Sequence, residues 1–162
     1  MRRVAVSNRK SRKGRKITKI SKSSDDTFNI GKELALEIFA PGVIGLTGEL
    51  GVGKTVFAKG FAEGLEVKEL ITSPTFLGIS ENFTGRVPFI HMDFYKKAVP
   101  ENIIQAYLDQ GSVVLIEWIE NFKEVFNKDL FSSISVYIQY LNNGKSKISE
   151  NERQIIIEQK DK

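Results

Sequence analysis

Residues 48–55 read "GELGVGKT" and match G-x-x-x-x-G-K-[ST] at Gly48, Gly53, Lys54 and Thr55. The spacing has a mechanical reason. A loop that cradles phosphate must curl so that successive backbone N–H groups point inward, and Gly48, Gly51 and Gly53 permit those dihedrals and the close approach of the anion. The loop Gly48, Glu49, Leu50, Gly51, Val52 and Gly53 would then wrap the phosphates. Lys54 would reach β- and γ-phosphate oxygens, the Thr55 hydroxyl would be a Mg2+ ligand, and the following helix would add its positive end. The bland alternative is a glycine-rich turn. An apolar run before the loop and a helix-like run after it favour phosphate, and ATP with Mg2+ is the expected cofactor pair.

Phosphate chemistry with Mg2+ calls for an acid at the end of a neighbouring strand. Two are offered. "VVLIE" puts Glu117 after four apolar residues, and "FIHMD" puts Asp93 in a weaker version of that setting. The more apolar strand assigns the metal to Glu117 and leaves Asp93 to orient the attacking water. Four residues nearby are less specific. Trp118 adjoins Glu117 and reads either as a nucleotide neighbour or as core. His91 shares a strand face with Asp93, two residues away, and reads either as a site residue or as a satisfied core histidine. Ser73 and Thr75 of "TSPTF" offer hydroxyls to a γ-phosphate or simply make a turn around Pro74. Each of these pairs of readings stays open on residue types alone.

The elements that must carry these groups follow from periodicity. "SSDDTFNIGKELALEIFAPG" predicts a capped helix with Phe28, Leu34, Leu36, Ile38 and Phe39 inward, ended by Pro41-Gly42. "VIGLT" (43–47) predicts a strand, and "KTVFAKGFAEGL" a helix with Val56, Phe57, Phe61 and Leu65 inward. "TFLGISENF" and "VPFIHMDFY" predict a hairpin, "ENIIQAYLDQG" a helix ending at Gly111, and "SVVLIEW" a buried parallel strand. "SSISVYIQYL" and "RQIIIE" predict two later strands joined by "NNGKSK". The expected fold is α/β: one P-loop domain with a mostly parallel sheet flanked by helices.

The 162 residues suffice for one such domain with a real core. There are no cysteines and one histidine, which excludes thiolate zinc sites, disulfides and cysteine nucleophiles and argues against a serine–histidine triad. No apolar run approaches a membrane span, so no membrane partner is expected, and a cytoplasmic location is. The net charge of +4 is uneven. Residues 1–22 hold ten basic and no acidic side chains, whereas the remainder hold 14 basic and 20 acidic ones, a net of −6. Residues 1–22 therefore read as a disordered basic tail and residues 23–162 as the ATPase domain. Such a tail is an inert extension, a transit peptide, a misassigned start or a weak, salt-sensitive arm for RNA.

Four motifs together, "LTGELGVGKTVFAKGFAEGL", "SPTF", "HMDFY" and "LIEW", resemble the TsaE (YjeE) ATPases of bacterial tRNA threonylcarbamoyladenosine synthesis over about residues 24–160. The resemblance implies ATP on the phosphate loop, Ser73 to Phe76 as a switch segment, Mg2+ on Thr55 and Glu117, and Asp93 needed for hydrolysis. Lys54, Asp93 and Thr75 are the expected catalytic set, with Ser73 and, from its place next to Glu117, Trp118 expected beside the nucleotide. It also implies partners, TsaB- and TsaD-like proteins that transfer a threonylcarbamoyl group to the adenosine beside the anticodon, with tRNA met indirectly or weakly and no DNA. Lys96 stands where the family has arginine, which keeps charge and loses a bidentate fork. Two rivals compete. A small-metabolite kinase would need phosphate-clamping arginines, yet beyond residue 15 only Arg86 and Arg153 occur. A GTPase would need N-K-x-D, which "NKDL" (127–130) misses by one position.

Overall fold

The computed structural model describes residues 14–74, 77–122, 134–141 and 151–159. Its seven strands form one mixed sheet: β1 (Arg15–Ser21), β2 (Gly42–Thr47), β3 (Ile79–Asn82), β4 (Phe89–Asp93), β5 (Val113–Glu117), β6 (Ile134–Tyr140) and β7 (Arg153–Gln159). The spatial order is β1-β7-β6-β2-β5-β4-β3. The central strands β6, β2, β5 and β4 are mutually parallel, while β3 and the β7–β1 pair are antiparallel additions at the two edges. The expected mostly parallel sheet is thus its four-stranded centre, with antiparallel strands at the edges. Crossover helices bury both faces of those central strands, whereas hairpin-like returns can add antiparallel strands at an edge.

Alternation along the strands divides the core between two faces. Phe89, Val113, Leu115, Val136 and Ile138 pack under α1 (Ser24–Leu36) and α2 (Lys54–Gly64). Ile90, Met92, Val114 and Ile116 pack under α3 (Glu101–Asp109) with Ile104 and with Ile119 of a one-turn 3-10 helix. The period of two places Glu117 on the α2 side with Leu115, and His91 and Asp93 on that side with Phe89. The parallel register sets Asp93 beside Glu117 and His91 beside Leu115. Because β2, β4 and β5 run the same way, the loops after all three open on one sheet edge, where ligands of such sheets bind.

Ser23 caps α1, its hydroxyl accepting from the Asp26 N–H at 3.0 Å. Two expectations for this region are corrected. Leu36 and Phe39 do not face inward: they are 67% and 89% exposed, and the buried face is Thr27, Ile30, Gly31, Leu34 and Ala35. The helix ends at Leu36, so Phe39 no longer follows its period. The boundary drawn after residue 22 is also moved. Residues 15–21 form β1, paired along its whole length with β7. Its cations are balanced locally, Arg15 by Glu37, Lys16 by Glu158 and Lys19 by Glu33. Charge counting saw repulsion within a segment, while the fold supplies acids from α1, its C-cap and β7. Buried Ser21 then bonds the Thr27 hydroxyl at 2.7 Å. The "NKDL" stretch, the "NNGKSK" turn, Thr75 and Phe76 lie outside the described residues.

Candidate nucleotide and metal site

The loop between β2 and α2 takes the backbone that its glycines allow. Gly51 has φ +75° and Gly53, the N-cap of α2, has φ +116°. Lys54 is 5% exposed, and its ammonium donates to the carbonyls of Gly48 at 2.6 Å and Glu49 at 2.8 Å. It also lies 3.6 Å from the centre of the Trp118 ring. Burial pulls the Lys54 ammonium below the usual lysine range, and the charges of Glu117, Glu120 and Asp93 oppose that pull. Lys54 is therefore a cation held in a partly dry site with three carboxylates around it, poised where phosphate charge would be strongly attractive.

Thr55, the second residue of α2, points at β5. Its hydroxyl donates to the Glu117 carboxylate, 3.1 Å from Oε1 and 3.2 Å from Oε2. Glu117 is 2% exposed and also receives His91 Nε2 at 2.8 Å on Oε1. Asp93, one strand away, accepts from the Ser73 hydroxyl at 3.0 Å and from the Tyr95 N–H at 2.8 Å. The segment after α2 thus reaches Asp93 through Ser73, and Gly78 completes the link by accepting from the Asp93 N–H at 3.1 Å. Trp118 follows Glu117 with φ +60° and stands against Tyr95 with ring centres 5.0 Å apart.

These groups line one cavity of about 310 Å³, bounded by Leu50, Gly51, Gly53, Lys54, Ser73, Asp93, Tyr95, Glu117 and Trp118 among others. The fold brings Ser73 to Asp93, 20 positions away, and Thr55 to Glu117, 62 positions away, so Lys54, Thr55, Ser73, Asp93, Glu117 and Trp118 meet at one cavity as the sequence led us to expect. Glu49 offers its carbonyl to Lys54, and the Val52 side chain is core, 1% exposed. The pair Thr55 and Glu117 suits a hard cation, since both offer oxygen. Among the described residues no group of three metal-binding side chains occurs.

Sequence reasoning missed two supports of this loop. Glu120, on the 3-10 turn, accepts from the Gly48 N–H at 3.3 Å, and its Oε2 is buried without a partner among the described residues. Its place three residues after the strand-end Glu117 was the only available signal. Arg153 of β7 donates to the Val52 carbonyl at 2.9 Å, with its guanidinium 4.3 Å from the Tyr140 ring centre. A second, smaller cavity of about 130 Å³ lies beside it, lined by Ser23, Ser24, Thr27, Gly53, Asn151 and Arg153 among others. Nothing in the sequence spacing links β7 to the loop.

Comparison with known proteins agrees with this geometry. The family described as "Threonylcarbamoyl adenosine biosynthesis protein TsaE" matches residues 21–154. A Bacillus subtilis protein named tRNA threonylcarbamoyladenosine biosynthesis protein TsaE is 42% identical over 84 residues, covering 51% of this chain and 53% of that one. The protein of the same name from Nostoc is 38% identical over 59% of this chain and 64% of its own length. The Aquifex aeolicus protein of that name is 33% identical over 80% of this chain and 91% of its own. The match therefore spans under two thirds of the Nostoc and Bacillus relatives and nearly all of the Aquifex one. The crystal structure of Bacillus subtilis YdiB superposes with a TM-score of 0.73 at 27% identity, covering 92% of this chain and 88% of that chain. Loop, acids, topology and family match converge: the chain belongs to the TsaE family.

Proposed function

We propose that this chain binds ATP with Mg2+ and hydrolyses it, slowly when alone, as an accessory of threonylcarbamoyl modification of the adenosine beside the anticodon in tRNA. TsaB- and TsaD-like proteins are its partners in this reading, and the cytoplasm is where the modification machinery works. The observation that carries it is the meeting of Lys54, Thr55, Glu117 and Asp93 at one cavity in a chain of this family. In this reading Lys54 neutralises β- and γ-phosphate charge, and Thr55 and Glu117 hold Mg2+, which when bound offsets phosphate charge during transfer. Asp93, fixed by Ser73 and the Tyr95 N–H, accepts a hydrogen bond from the attacking water. In this reading Ser73, which donates to Asp93, senses the γ-phosphate, and Thr75 offers a further hydroxyl. The small cavity beside Gly53 is where the nucleoside end would extend.

The kinase reading finds no support in the two remaining arginines. Arg86 donates to the carbonyls of Ala35 and Ile38 at 2.5 and 3.2 Å, at the far end of α1, and Arg153 is engaged with Val52. Contact with tRNA in this reading is indirect, or weak and salt-sensitive through the basic residues 1–22. Among the described residues no helix is long and apolar enough to cross a membrane.

The test is equilibrium binding of ATP and single-turnover hydrolysis with and without Mg2+. Lys54→Ala is expected to abolish measurable binding. Glu117→Ala should lose the part of binding that depends on Mg2+, and Asp93→Ala should keep binding while hydrolysis falls about 100-fold or more. Binding that survives Lys54→Ala unchanged would overturn the site, and effects exchanged between Glu117 and Asp93 would exchange their roles. Co-purification of TsaB- and TsaD-like proteins from the native host tests the partner assignment, which fails if neither is recovered.

A further inference from the structure

His91 has a role that neither family membership nor the motif assigns. The ring is 0% exposed, in the middle of the sheet face under α2. Its Nε2 lies 2.8 Å from Glu117 Oε1, while Nδ1 has no partner among the described residues. An ionised carboxylate has only lone pairs to offer, so the hydrogen of this contact sits on Nε2. The carboxylate is thus the one polar contact of the ring among the described residues. Burying a polar ring for packing alone is costly, and an apolar side chain of similar size would fill that space without leaving a nitrogen unpaired.

The consequence for Glu117 follows from its other partner. The Thr55 hydroxyl sits almost equally far from both carboxylate oxygens and cannot by itself select a rotation of the group. His91 breaks that symmetry, because it touches Oε1 alone. The parallel register makes this possible. With His91 beside Leu115 on the adjacent strand, an imidazole reaches diagonally forward to Glu117, and Asp93, two residues on, stays clear at the strand end. We infer that His91 is a positioning residue. It fixes the Glu117 carboxylate through Nε2–H so that Oε2 and the Thr55 oxygen are presented together to Mg2+. The inference rests on the ATP and Mg2+ reading above. It deepens that reading by saying how a lone carboxylate is held ready, in the manner in which outer partners tune metal ligands elsewhere.

The experiment measures the Mg2+ concentration that half-saturates the metal-dependent gain in ATP affinity. Affinity in EDTA and melting temperature are measured alongside. His91→Gln places an amide nitrogen near the position of Nε2, while His91→Leu keeps the volume and offers no donor. His91→Leu is expected to raise the half-saturating Mg2+ by about 10-fold or more, the effect usual for loss of an outer partner. His91→Gln is expected to stay within about threefold of wild type, and both should keep the EDTA affinity. A merely structural role would instead move melting temperature and EDTA affinity together. Should His91→Leu fail to fold, His91→Asn takes its place, since its amide sits at the Nδ1 position and cannot reach Glu117. An unchanged Mg2+ requirement in the variant without a donor overturns the inference, as does a shift equally large in His91→Gln. A wild-type protein whose ATP binding ignores Mg2+ overturns the metal reading itself, before any His91 variant is compared.

Discussion

Gly60→Ala puts two opposed effects in competition, and the structure says which wins. Gly60 sits inside α2, where alanine is preferred to glycine by about 1 kcal/mol. Propensity alone therefore favours the substitution. A methyl group at this position would fall on the Phe28 carbonyl oxygen, 2.6 Å from its carbon and 2.9 Å from the Phe28 Cα. Carbon atoms rest at about 3.5–4.0 Å, so α1 would have to retreat by about 1 Å. It cannot do so freely. Gly64 faces the Lys32 carbonyl and the Ala35 Cβ along the same seam, and Ile30, Leu34 and Ala35 are buried on α1 itself. A gap of that size forfeits about a quarter to a half of each contact that it opens, and overpacking costs about 1–3 kcal/mol or more. With propensity subtracted, a loss of about 2 kcal/mol is expected, which for a domain of this size lowers the melting temperature by about 4–8 °C. Urea and thermal unfolding measure it, with the exposed neighbour Lys59→Ala as a control expected to stay within about 0.5 kcal/mol. A Gly60→Ala protein as stable as wild type would refute the idea that this helix pair is packed backbone to backbone.

Two further outcomes follow from the same reasoning. Removal of residues 1–13 should leave the melting temperature unchanged. Removal of residues 1–22 takes away β1 and leaves buried Thr27 without its Ser21 partner, at a cost of about 2 kcal/mol or about 4–8 °C; truncations that melt alike would contradict this. Tyr107 on α3 donates to Glu81 at 2.7 Å, which, with smaller help from burial, raises its phenol to about 12. A raised folded pKa favours the folded state fully below the ordinary tyrosine value of 10, and that stabilisation is lost as pH climbs towards 12. Tyr107→Phe should accordingly flatten the alkaline decline of stability between those values, and an unaltered decline would remove the assignment.

Much of the site was legible because local rules write it into short stretches. A phosphate loop needs glycines at fixed intervals followed by lysine and threonine, and a buried strand that delivers an acid must read as an apolar run ending in that acid. Residues 48–55 and 113–117 satisfy these rules without reference to the rest of the chain. What the loop and the acid could not reveal is which groups from other strands stand between them. His91 reads equally well as core or as site, because a period of two gives a face and not a neighbour. Only the parallel register of β4 on β5 places its Nε2 against Glu117. Residues 15–21 show the same limit in another form. Their composition is that of a solvated tail, and no local pattern announces that β7 lies ready to pair with them and that Glu33 of α1, Glu37 at its C-cap and Glu158 of β7 balance their charge. The chemistry of this protein was therefore set by residue order over spans of eight or fewer. Its supports, His91, Glu120, Arg153 and β1, were decided by strand pairing across long separations, where backbone hydrogen bonds and packing choose partners that sequence distance conceals.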